Sequence, residues 1–463
     1  MDASSKATSI KLLDFRTPQM RAFHVTWFAF FLAFFGWFGI APLMAVVRDD
    51  LELTKAQVGD TVIASVAVTI VARLVIGWLC DRIGPRIAYT GLLILGSIPV
   101  MAIGLANSYE SFLLFRLAIG VIGASFVITQ YHTSLMFGPN VVGTANATTA
   151  GWGNLGGGVT QIAMPVVLSL VVMLGLGEAV GWRVAMVFPG VALLAMGIAY
   201  FFLVQDTPEG NFSQLRKEGR LPPVSSTKGS FLLAAKDPRV WALFVIYGAC
   251  FGVELTINNV AALYYHDRFG LSVGAAGLVA GLFGLMNIFA RTLGGVWGDK
   301  AGIKWGLRGR VMFLGVMLAL EGVALLVFSQ MSALFVAIGT MLVFSLFVQM
   351  AEGATFSIVP FINRKALGSV AGIVGAGGNA GAMAFGFLFR MESLNTQTAL
   401  LYLGIFVTLA ASLAVFVRFS EATEAEERVA LDEAIAARAA SGAPSRIPAG
   451  APAPALRIER ADG

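Results

Sequence analysis

Residues Arg73–Gly84 read RLVIGWLCDRIG, and residues Arg291–Gly302 read RTLGGVWGDKAG. The two stretches align without a gap at an offset of 218 residues. They share the first arginine, an inner glycine, an aspartate followed by a basic residue, and the closing glycine. A stretch that recurs once in each half of a chain indicates an internal repeat. Repeats of this kind characterise secondary transporters, in which the substrate lies between two halves at the middle of the membrane.

The composition is that of a membrane protein. Of the 463 residues, 57% are hydrophobic and 13% are charged, whereas a soluble domain is usually about 25% charged. Twelve apolar segments reach or approach the ~20 residues that cross a hydrocarbon core of about 30 Å. They are 23–47, 58–80, 88–106, 110–137, 142–173, 182–203, 238–266, 274–297, 309–329, 332–360, 367–389 and 397–418. We therefore predict an all-α membrane protein of twelve transmembrane helices in two pseudo-symmetric six-helix halves.

The basic residues are divided unequally between the two sides of these segments. The side that holds both termini carries 24 Lys and Arg residues, the other side carries five, and three lie inside segments. By the positive-inside rule both termini are cytoplasmic, and we expect a multi-pass protein of the cytoplasmic (inner) membrane, in contact with lipid. Because the basic residues are spread over loops, we expect no nucleic-acid partner.

Polar interruptions divide the chain into five regions. We predict a cytoplasmic N-terminus over 1–22, an N-terminal six-helix half over 23–203, a cytoplasmic linker over 204–237, a C-terminal six-helix half over 238–418, and a cytoplasmic tail over 419–463. The end of the tail is rich in Pro and Ala and has no apolar face, so we expect it to be partly disordered.

Two arginines lie near the predicted midplane. Arg73 precedes Asp81 by eight residues and Arg291 precedes Asp299 by eight, which places each about 12 Å into a helix. Burying arginine there costs roughly 2.5–3.5 kcal/mol, so such residues face a cavity and a partner or substrate. The planar guanidinium suits a small oxyanion. The alternative is pairing with a buried glutamate, for which Glu254, Glu321 and Glu352 are candidates.

A third intramembrane arginine, Arg116, lies in the fourth segment within RLAIGVIGA. We expect it to have a structural or gating role rather than to contact substrate. His132 and Tyr131, in the same segment, are candidates to line the cavity, and packing inside the half is the alternative for both. His132 is also a candidate for proton transfer.

The seventh segment carries a polar stripe within YGACFGVELTINN. Tyr247, Phe251, Glu254 and Asn258 are spaced so that they share one helical face. A face with an acid and an amide is too polar for lipid, so we expect it to line the cavity. A desolvated Glu254 is a candidate to bind a proton reversibly, and the alternative is a fixed counter-ion for Arg291 or Arg73.

The fifth segment contains GWGNLGGG, Gly151–Gly158, which matches the G-x-G-x-x-G pattern of nucleotide-binding loops. No strand precedes it and it lies within an apolar span, so the match does not indicate a nucleotide site. A related stretch, GAGGNAGA, recurs at Gly375–Ala382, and it aligns Asn154 with Asn379 at an offset of 225. The pattern therefore belongs to the internal repeat.

These motifs resemble known transporters. The two Gly-x-x-x-Asp-Arg/Lys-x-Gly loops resemble the cytoplasmic loop of the major facilitator superfamily. That resemblance implies a gating role for Asp81, Asp299, Gly77 and Gly295, as well as for Arg116; the alternative for the loops is a turn that only joins helices. The paired glycine segments, with CFGVELTINN and GATFSIVPFI, resemble the nitrate/nitrite porter family (NarK-like), and in particular its high-affinity nitrate transporter branch.

The family resemblance implies roles for individual residues. Arg73 and Arg291 would bind nitrate, Asn154 and Asn379 would be the signature asparagines, with Asn154 favoured for substrate contact, and Tyr247 and Phe251 would line the site. Glycines would allow close packing and sliding of helices; they are Gly151, Gly153, Gly156, Gly157, Gly378 and Gly381.

The resulting hypothesis is a transporter rather than an enzyme, with no cofactor and no metal. Uptake of an anion into a negative cell interior costs about 2.3 kcal/mol per 100 mV, and symport with more than one proton per anion reverses that sign. An acid at Glu254 favours nitrate/proton symport. Electroneutral nitrate/nitrite exchange is the alternative, and a membrane nitrate sensor is a remote one. We expect a monomer whose ligands are nitrate or nitrite and protons.

Overall fold

The computed structural model describes residues 6–137, 141–220, 228–363 and 367–429. The described residues are almost all helical and contain two isolated β-bridges but no strand. The chain divides into two compact units, the first ending at Arg418 and the second beginning at Phe419. In the second unit residues 421–429 are helical. The predicted disordered end of the tail and residues 221–227 of the linker lie outside the described residues.

Eleven described segments are long and apolar enough to cross a membrane. One of them, Val273–Ser329, has 57 residues and turns back on itself. At its middle, Gly306 has a φ of 69° and a ψ of −162°, and a Cβ at Gly298 would lie 3.8 Å from the Phe313 ring. In a straight helix these positions would be about 22 Å apart. This segment therefore supplies two spans, and the prediction of twelve transmembrane helices is confirmed.

We number the spanning helices in chain order. They are α1 (Pro18–Phe38), α2 (Lys55–Ile83), α3 (Pro85–Ala102), α4 (Tyr109–Met136), α5 (Val142–Met173), α6 (Glu178–Leu203), α7 (Pro238–Phe269), α8 (273–305), α9 (307–329), α10 (Leu334–Ile358), α11 (Leu367–Arg390) and α12 (Thr396–Ala410). Shorter helices, outside this numbering, include Met44–Asp50, Phe212–Lys217 and Lys228–Ala235.

Capping residues fix where several of these helices begin. Thr17 accepts a hydrogen bond from the Met20 N–H and is followed by Pro18 at the first helical position. Thr54 and Gln57 form a reciprocal capping box at the start of α2. Asp237 caps α7, again with a proline next to it. Such caps satisfy N–H groups that have no partner inside the helix, so the polar residues before each apolar run define the start of the span.

The six-helix halves contact each other along two helix pairs, α2 with α11 and α5 with α8. The arginine segments of the repeat lie in α2 and α8, and the glycine segments lie in α11 and α5. Each arginine helix therefore packs against the glycine helix of the opposite half. This exchange brings the two copies of both motifs to the boundary between the halves.

Candidate functional site

Arg73 and Arg291 meet at one pair of aromatic rings. The Phe126 and Phe251 rings stack with centroids 6.0 Å apart. The Arg73 guanidinium carbon lies 5.1 Å from the first ring and 5.5 Å from the second, and that of Arg291 lies 5.8 and 5.7 Å away. Both arginines are 2% exposed. The structure thus brings the two predicted arginines together across the boundary between the halves.

Neutral groups hold Arg73. Its Nη1 donates to the Gly375 carbonyl at 2.5 Å, and Nη2 lies 3.5 Å from the Gly123 carbonyl. With its amide oxygen turned toward Arg73, Asn379 accepts from Nη1 at 2.8 Å and from Nε at 3.2 Å. Among the residues that the structure describes, no carboxylate forms an ion pair with Arg73. Carbonyl and amide dipoles therefore orient the Arg73 side chain, and no described carboxylate balances its positive charge.

Arg291 has acidic partners. Its Nη1 contacts Oε2 of Glu352, and Oε2 of Glu254 lies 3.8 Å from the same nitrogen. Its Nη2 donates to the Tyr247 hydroxyl at 2.9 Å. All three partners are buried. The sequence offered two alternatives for these arginines, a glutamate partner or a bound anion. Arg291 has the glutamate partner. Arg73 has none among the described residues and stays a candidate for anion binding.

Asn154 and Asn379, which are equivalent in the repeat, have different partners. The Asn154 amide donates to Oε2 of Glu254 at 3.0 Å, whereas Asn379 accepts from Arg73. Asn287, which sequence reasoning missed, donates to the other oxygen of Glu254 at 2.7 Å. Glu254 is thus held by two amides, and Oδ1 of Asn154 is buried without a partner among the described atoms.

Four aromatic rings form one cluster beside the two arginines. Tyr247 stacks on Phe251 with centroids 5.1 Å apart, and Phe356 meets the rings of both Tyr247 and Phe126 edge-on. Phe126 and Phe356 were not predicted. A signal for them exists, because GASF at Gly123–Phe126 aligns with GATF at Gly353–Phe356 at an offset of 230. The two phenylalanines are therefore a further pair in the internal repeat.

The predicted packing glycines lie where helices approach most closely. A Cβ at Gly156 would overlap the Phe31 carbonyl, and one at Gly381 would overlap the Gly248 backbone. Side chains at Gly153 and Gly378 would meet the rings of Phe30 and Phe251. The remaining two have looser contacts: Gly151 faces the Asn287 carbonyl at 2.9 Å and Gly157 faces the Asn258 amide at 3.3 Å, both measured from an added Cβ.

The repeated loops lie at the end of the bundle where α2 and α8 finish. Asp299 accepts a hydrogen bond at 2.5 Å from Nη1 of Arg310 across the α8–α9 turn, so it makes a contact inside the C-terminal half. The Cβ positions of Gly77 and Gly295 lie 3.8 Å from Val127 and 3.4 Å from Ala147. The side chain of Asp81 lies outside the described part of the structure.

The loop between α2 and α3 is anchored by Asp206, which follows α6. Its carboxylate accepts the backbone N–H groups of Arg86 and Phe212, both at 2.8 Å. Burial raises the pKa of the Asp206 carboxyl above its ordinary value. Gly84 has a φ of 85° and any side chain there would overlap Asp206. A glycine is therefore required at the end of this loop motif.

His132 belongs to a network inside the N-terminal half. Its Nε2 lies 2.9 Å from the Gln205 carbonyl, which only accepts, so Nε2 carries a hydrogen. In the neutral ring Nδ1 then accepts from the Tyr200 hydroxyl at 2.6 Å. Tyr200 also contacts Thr26 at 2.9 Å. Both ring nitrogens are satisfied, which corresponds to the packing alternative for this residue.

Ion pairs between the halves close the opposite end of the bundle. Arg48 makes two hydrogen bonds to Asp267, at 2.8 and 3.3 Å. Arg390, at the end of α11, donates to Asp60 in α2 at 2.6 Å. Lys55 donates to the Met391 carbonyl at 3.1 Å. The structure therefore has this face held shut by contacts that cross from one half to the other.

Solved structures of low sequence identity share this fold. A proton:xylose symporter, XylE, superposes with a TM-score of 0.67 at 15% identity, covering 89% of this chain and 99% of that one. A bacterial homologue of the human lysosomal transporter Spinster, in an inward-facing and unoccupied conformation, gives 0.65 at 16% identity, covering 88% and 99%. The family model described as Major Facilitator Superfamily matches residues 26–386. Fold and family together define a multi-span membrane transporter, and not an enzyme.

Relatives of higher identity narrow the class. The chain is 41% identical over 416 residues to the high affinity nitrate transporter 2.5 of Arabidopsis thaliana, covering 90% of this chain and 82% of the relative. It is 30% identical over 455 residues to the nitrate/nitrite transporter NrtP of a Picosynechococcus strain, covering 79% and 84%. The chain belongs to the nitrate/nitrite porter family of the major facilitator superfamily, as its motifs predicted.

Proposed function

We propose that this protein carries nitrate, and also nitrite, across the cytoplasmic membrane by alternating access, with both termini in the cytoplasm. The observation that supports this most strongly is the pair of buried arginines on the Phe126–Phe251 rings, one of which has no acidic partner among the described residues. The names of the relatives point to the same two anions.

Arg73 is the primary anion-binding group in this proposal. Its guanidinium is fixed by Asn379 and the Gly375 carbonyl, so little side-chain entropy is lost when an anion binds. A planar oxyanion that takes the place of the Asn379 oxygen can share two parallel charge-assisted hydrogen bonds with this guanidinium. The two arginines are buried, and burial strengthens such contacts relative to those at an exposed arginine.

Arg291 connects anion binding to a proton. Glu352 contacts its Nη1 and competes with any incoming anion for the guanidinium. When Glu352 takes up a proton, the attraction falls and Arg291 becomes available to the anion. Proton and nitrate would then be bound together, which is the requirement for symport. Glu254 is the second candidate for the proton, because it lies 3.8 Å from the same nitrogen.

Movement of the halves completes the cycle. The ion pairs Arg48–Asp267 and Asp60–Arg390 close one face in this structure, and by the positive-inside rule that face is extracellular. The site would be loaded from outside after these pairs open and would empty toward the cytoplasm after they re-form. Gly151, Gly157 and Gly158 of α5 face Asn287, Asn258 and Gly284 of the opposite half, and they provide a smooth surface on which the halves rock. We propose that a monomer is sufficient, because both halves of the site come from one chain.

Proteoliposome uptake tests the proposal and its alternative. We expect labelled nitrate to accumulate in vesicles with an acidic exterior and an empty lumen. Accumulation that ignores the proton gradient and requires nitrite inside would support electroneutral exchange instead. Nitrate binding without nitrate transport, both with a proton gradient and with nitrite inside the vesicles, would support a sensor. The matched control is Arg220→Lys, a substitution at an exposed arginine of the linker.

A further inference from the structure

Arg116 is a third buried cation, and the site described above does not use it. It lies on α4, is 1% exposed, and donates from Nη1 to the Trp37 carbonyl at 3.3 Å and from Nη2 to Oδ1 of Asn259 at 2.8 Å. Its Nε has no hydrogen-bond partner among the described atoms. No described carboxylate pairs with it. Burying a charge that has no acidic partner costs free energy, and an arginine cannot lose its proton to avoid that cost.

Its depth in the bundle lies between that of the central site and that of the closed face. Asn259 follows Phe251 by eight residues on α7 and precedes Asp267 by eight. A rise of 1.5 Å per residue puts it about 12 Å from each. Arg116 also joins the two halves, because Trp37 lies on α1 and Asn259 lies on α7. An anion that moves between the closed face and the central rings passes this layer.

A second observation in the same layer points to a ligand. Asn258, next to Asn259, is 2% exposed, and neither of its amide atoms has a hydrogen-bond partner among the described atoms. Leaving a buried donor or acceptor without a partner costs about 1–3 kcal/mol. The buried charge of Arg116 and the unpartnered amide of Asn258, one residue from the Asn259 partner of Arg116, lie at the same depth, as expected of a polar site that is occupied intermittently.

The internal repeat has no second copy of this arginine. Aligning GASF with GATF at an offset of 230 places Leu346 at the position of Arg116 in the C-terminal half. That half builds the equivalent helix, α10, with an apolar residue. The charge at Arg116 is therefore specific to one half, whereas the central arginines Arg73 and Arg291 occur once in each half.

We propose that Arg116, with Asn258 and Asn259, forms a second and weaker binding station for a monovalent oxyanion, between the Arg73–Arg291 site and the face closed by Arg48 and Asp267. This inference rests on the proposed function, because it adds a step to the path of the same anion. The station receives the anion when the outer face opens and passes it to the central site, so that the ion never crosses the apolar layer without a cation beside it.

Equilibrium binding of ¹⁵N-labelled nitrate to the purified full-length protein tests the station. We expect wild type to show a tight and a weak component, with the weak one on the order of tenfold or more lower in affinity. Arg73→Gln should lose the tight component and keep the weak one, and Arg116→Gln should do the reverse. The double variant should bind nothing. Arg268→Gln, at an exposed arginine near the same face, is the control and should keep both components.

Three results would overturn the inference: no residual binding in Arg73→Gln, a weak component that survives in the double variant, or an Arg116→Gln protein with unchanged weak binding. If Arg116→Gln does not give a monodisperse protein, Arg116→Lys and Asn259→Leu replace it. Each should lower the nitrate affinity of the weak component and leave that of the tight component unchanged. A wild-type protein that binds no nitrate in either range would contradict the proposed function itself, a result distinct from the loss of one component.

Discussion

Arg73 and Arg291 lie against the same two phenylalanine rings, but only Arg291 is paired with carboxylates. The internal repeat makes the two positions equivalent in the backbone, and the surrounding residues make them electrostatically unequal. In the proposed mechanism this inequality separates two roles: Arg73 would attract the anion, and Arg291 would exchange a carboxylate for it. The predictions that follow depend on that division.

Replacing either central arginine by lysine keeps a positive charge but loses the planar fork of donors. Arg73→Lys should raise the apparent Kd for nitrate about 10- to 100-fold, since a hydrogen bond to a charged group contributes about 1.5–3 kcal/mol. Arg291→Lys should lower transport as well, with a smaller effect on binding, because Glu352 already competes for that side chain. Equilibrium binding and initial uptake rates measure the two effects. Normal affinity in both variants would exclude recognition by the guanidinium forks.

Glu352→Gln removes the carboxylate from Arg291 with little change of shape. We expect nitrate binding to be kept or tightened and to lose its dependence on pH, while accumulation driven by a proton gradient is abolished. Glu254→Gln is the comparison, and it should also disturb Asn154 and Asn287, which donate to Glu254. A rise in the pH of the outer medium during nitrate uptake measures the protons that enter with the anion. Full proton-driven accumulation by Glu352→Gln would assign the proton to another group.

Two glycines on α11 form a matched pair for testing close helix packing. A Cβ at Gly381 would overlap the Gly248 backbone, whereas nothing lies within 4 Å of the Cβ position of Gly372. Gly381→Ala should lower the free energy of unfolding by about 1–3 kcal/mol and slow transport. Gly372→Ala should be neutral or stabilise the helix by up to about 1 kcal/mol. Thermal unfolding in detergent measures both, and equal effects would contradict the packing account.

The outer ion pairs should bias the conformational equilibrium. Arg48 and Asp267 are partly exposed, and such pairs contribute about 0.2–1 kcal/mol. Asp267→Asn should therefore increase the outward-open population by no more than about fivefold. Distances between spin labels on the two halves at that face measure the shift. The charge-reversed pair Arg48→Asp with Asp267→Arg should restore the wild-type distribution, and a failure to do so would mean that attraction between these two side chains does not set the equilibrium.

Much of the fold is readable from the sequence because the membrane imposes a simple rule. A span must be apolar and long enough, and an arginine at mid-depth must face inward. These constraints place Arg73 and Arg291 on a shared interior, and the repeat relates them. The turn at Gly306 separates α8 from α9 as the basic residues between them indicate.

The partners inside the site were harder to predict, since they depend on the rotation of helices from opposite halves. Sequence spacing gives the face of α7 that carries Glu254, but it does not say that Asn287 reaches it from α8. Nor does it show that Asn379 binds Arg73 while Asn154 binds Glu254. Phe126 was missed because a phenylalanine in an apolar span gives no polar signal. The sequence therefore predicts the charged residues of the site, whereas its aromatic lining is identified only from the three-dimensional structure.

Tracer exchange of nitrate is the most direct test of the central claim, because it requires binding and alternating access but no proton gradient. Vesicles loaded with unlabelled nitrate and diluted into labelled nitrate at equal pH should take up label with wild-type protein, should do so much more slowly with Arg73→Lys, and should do so normally with the control Arg220→Lys. Undiminished exchange by Arg73→Lys, or no exchange by wild type, would contradict the account.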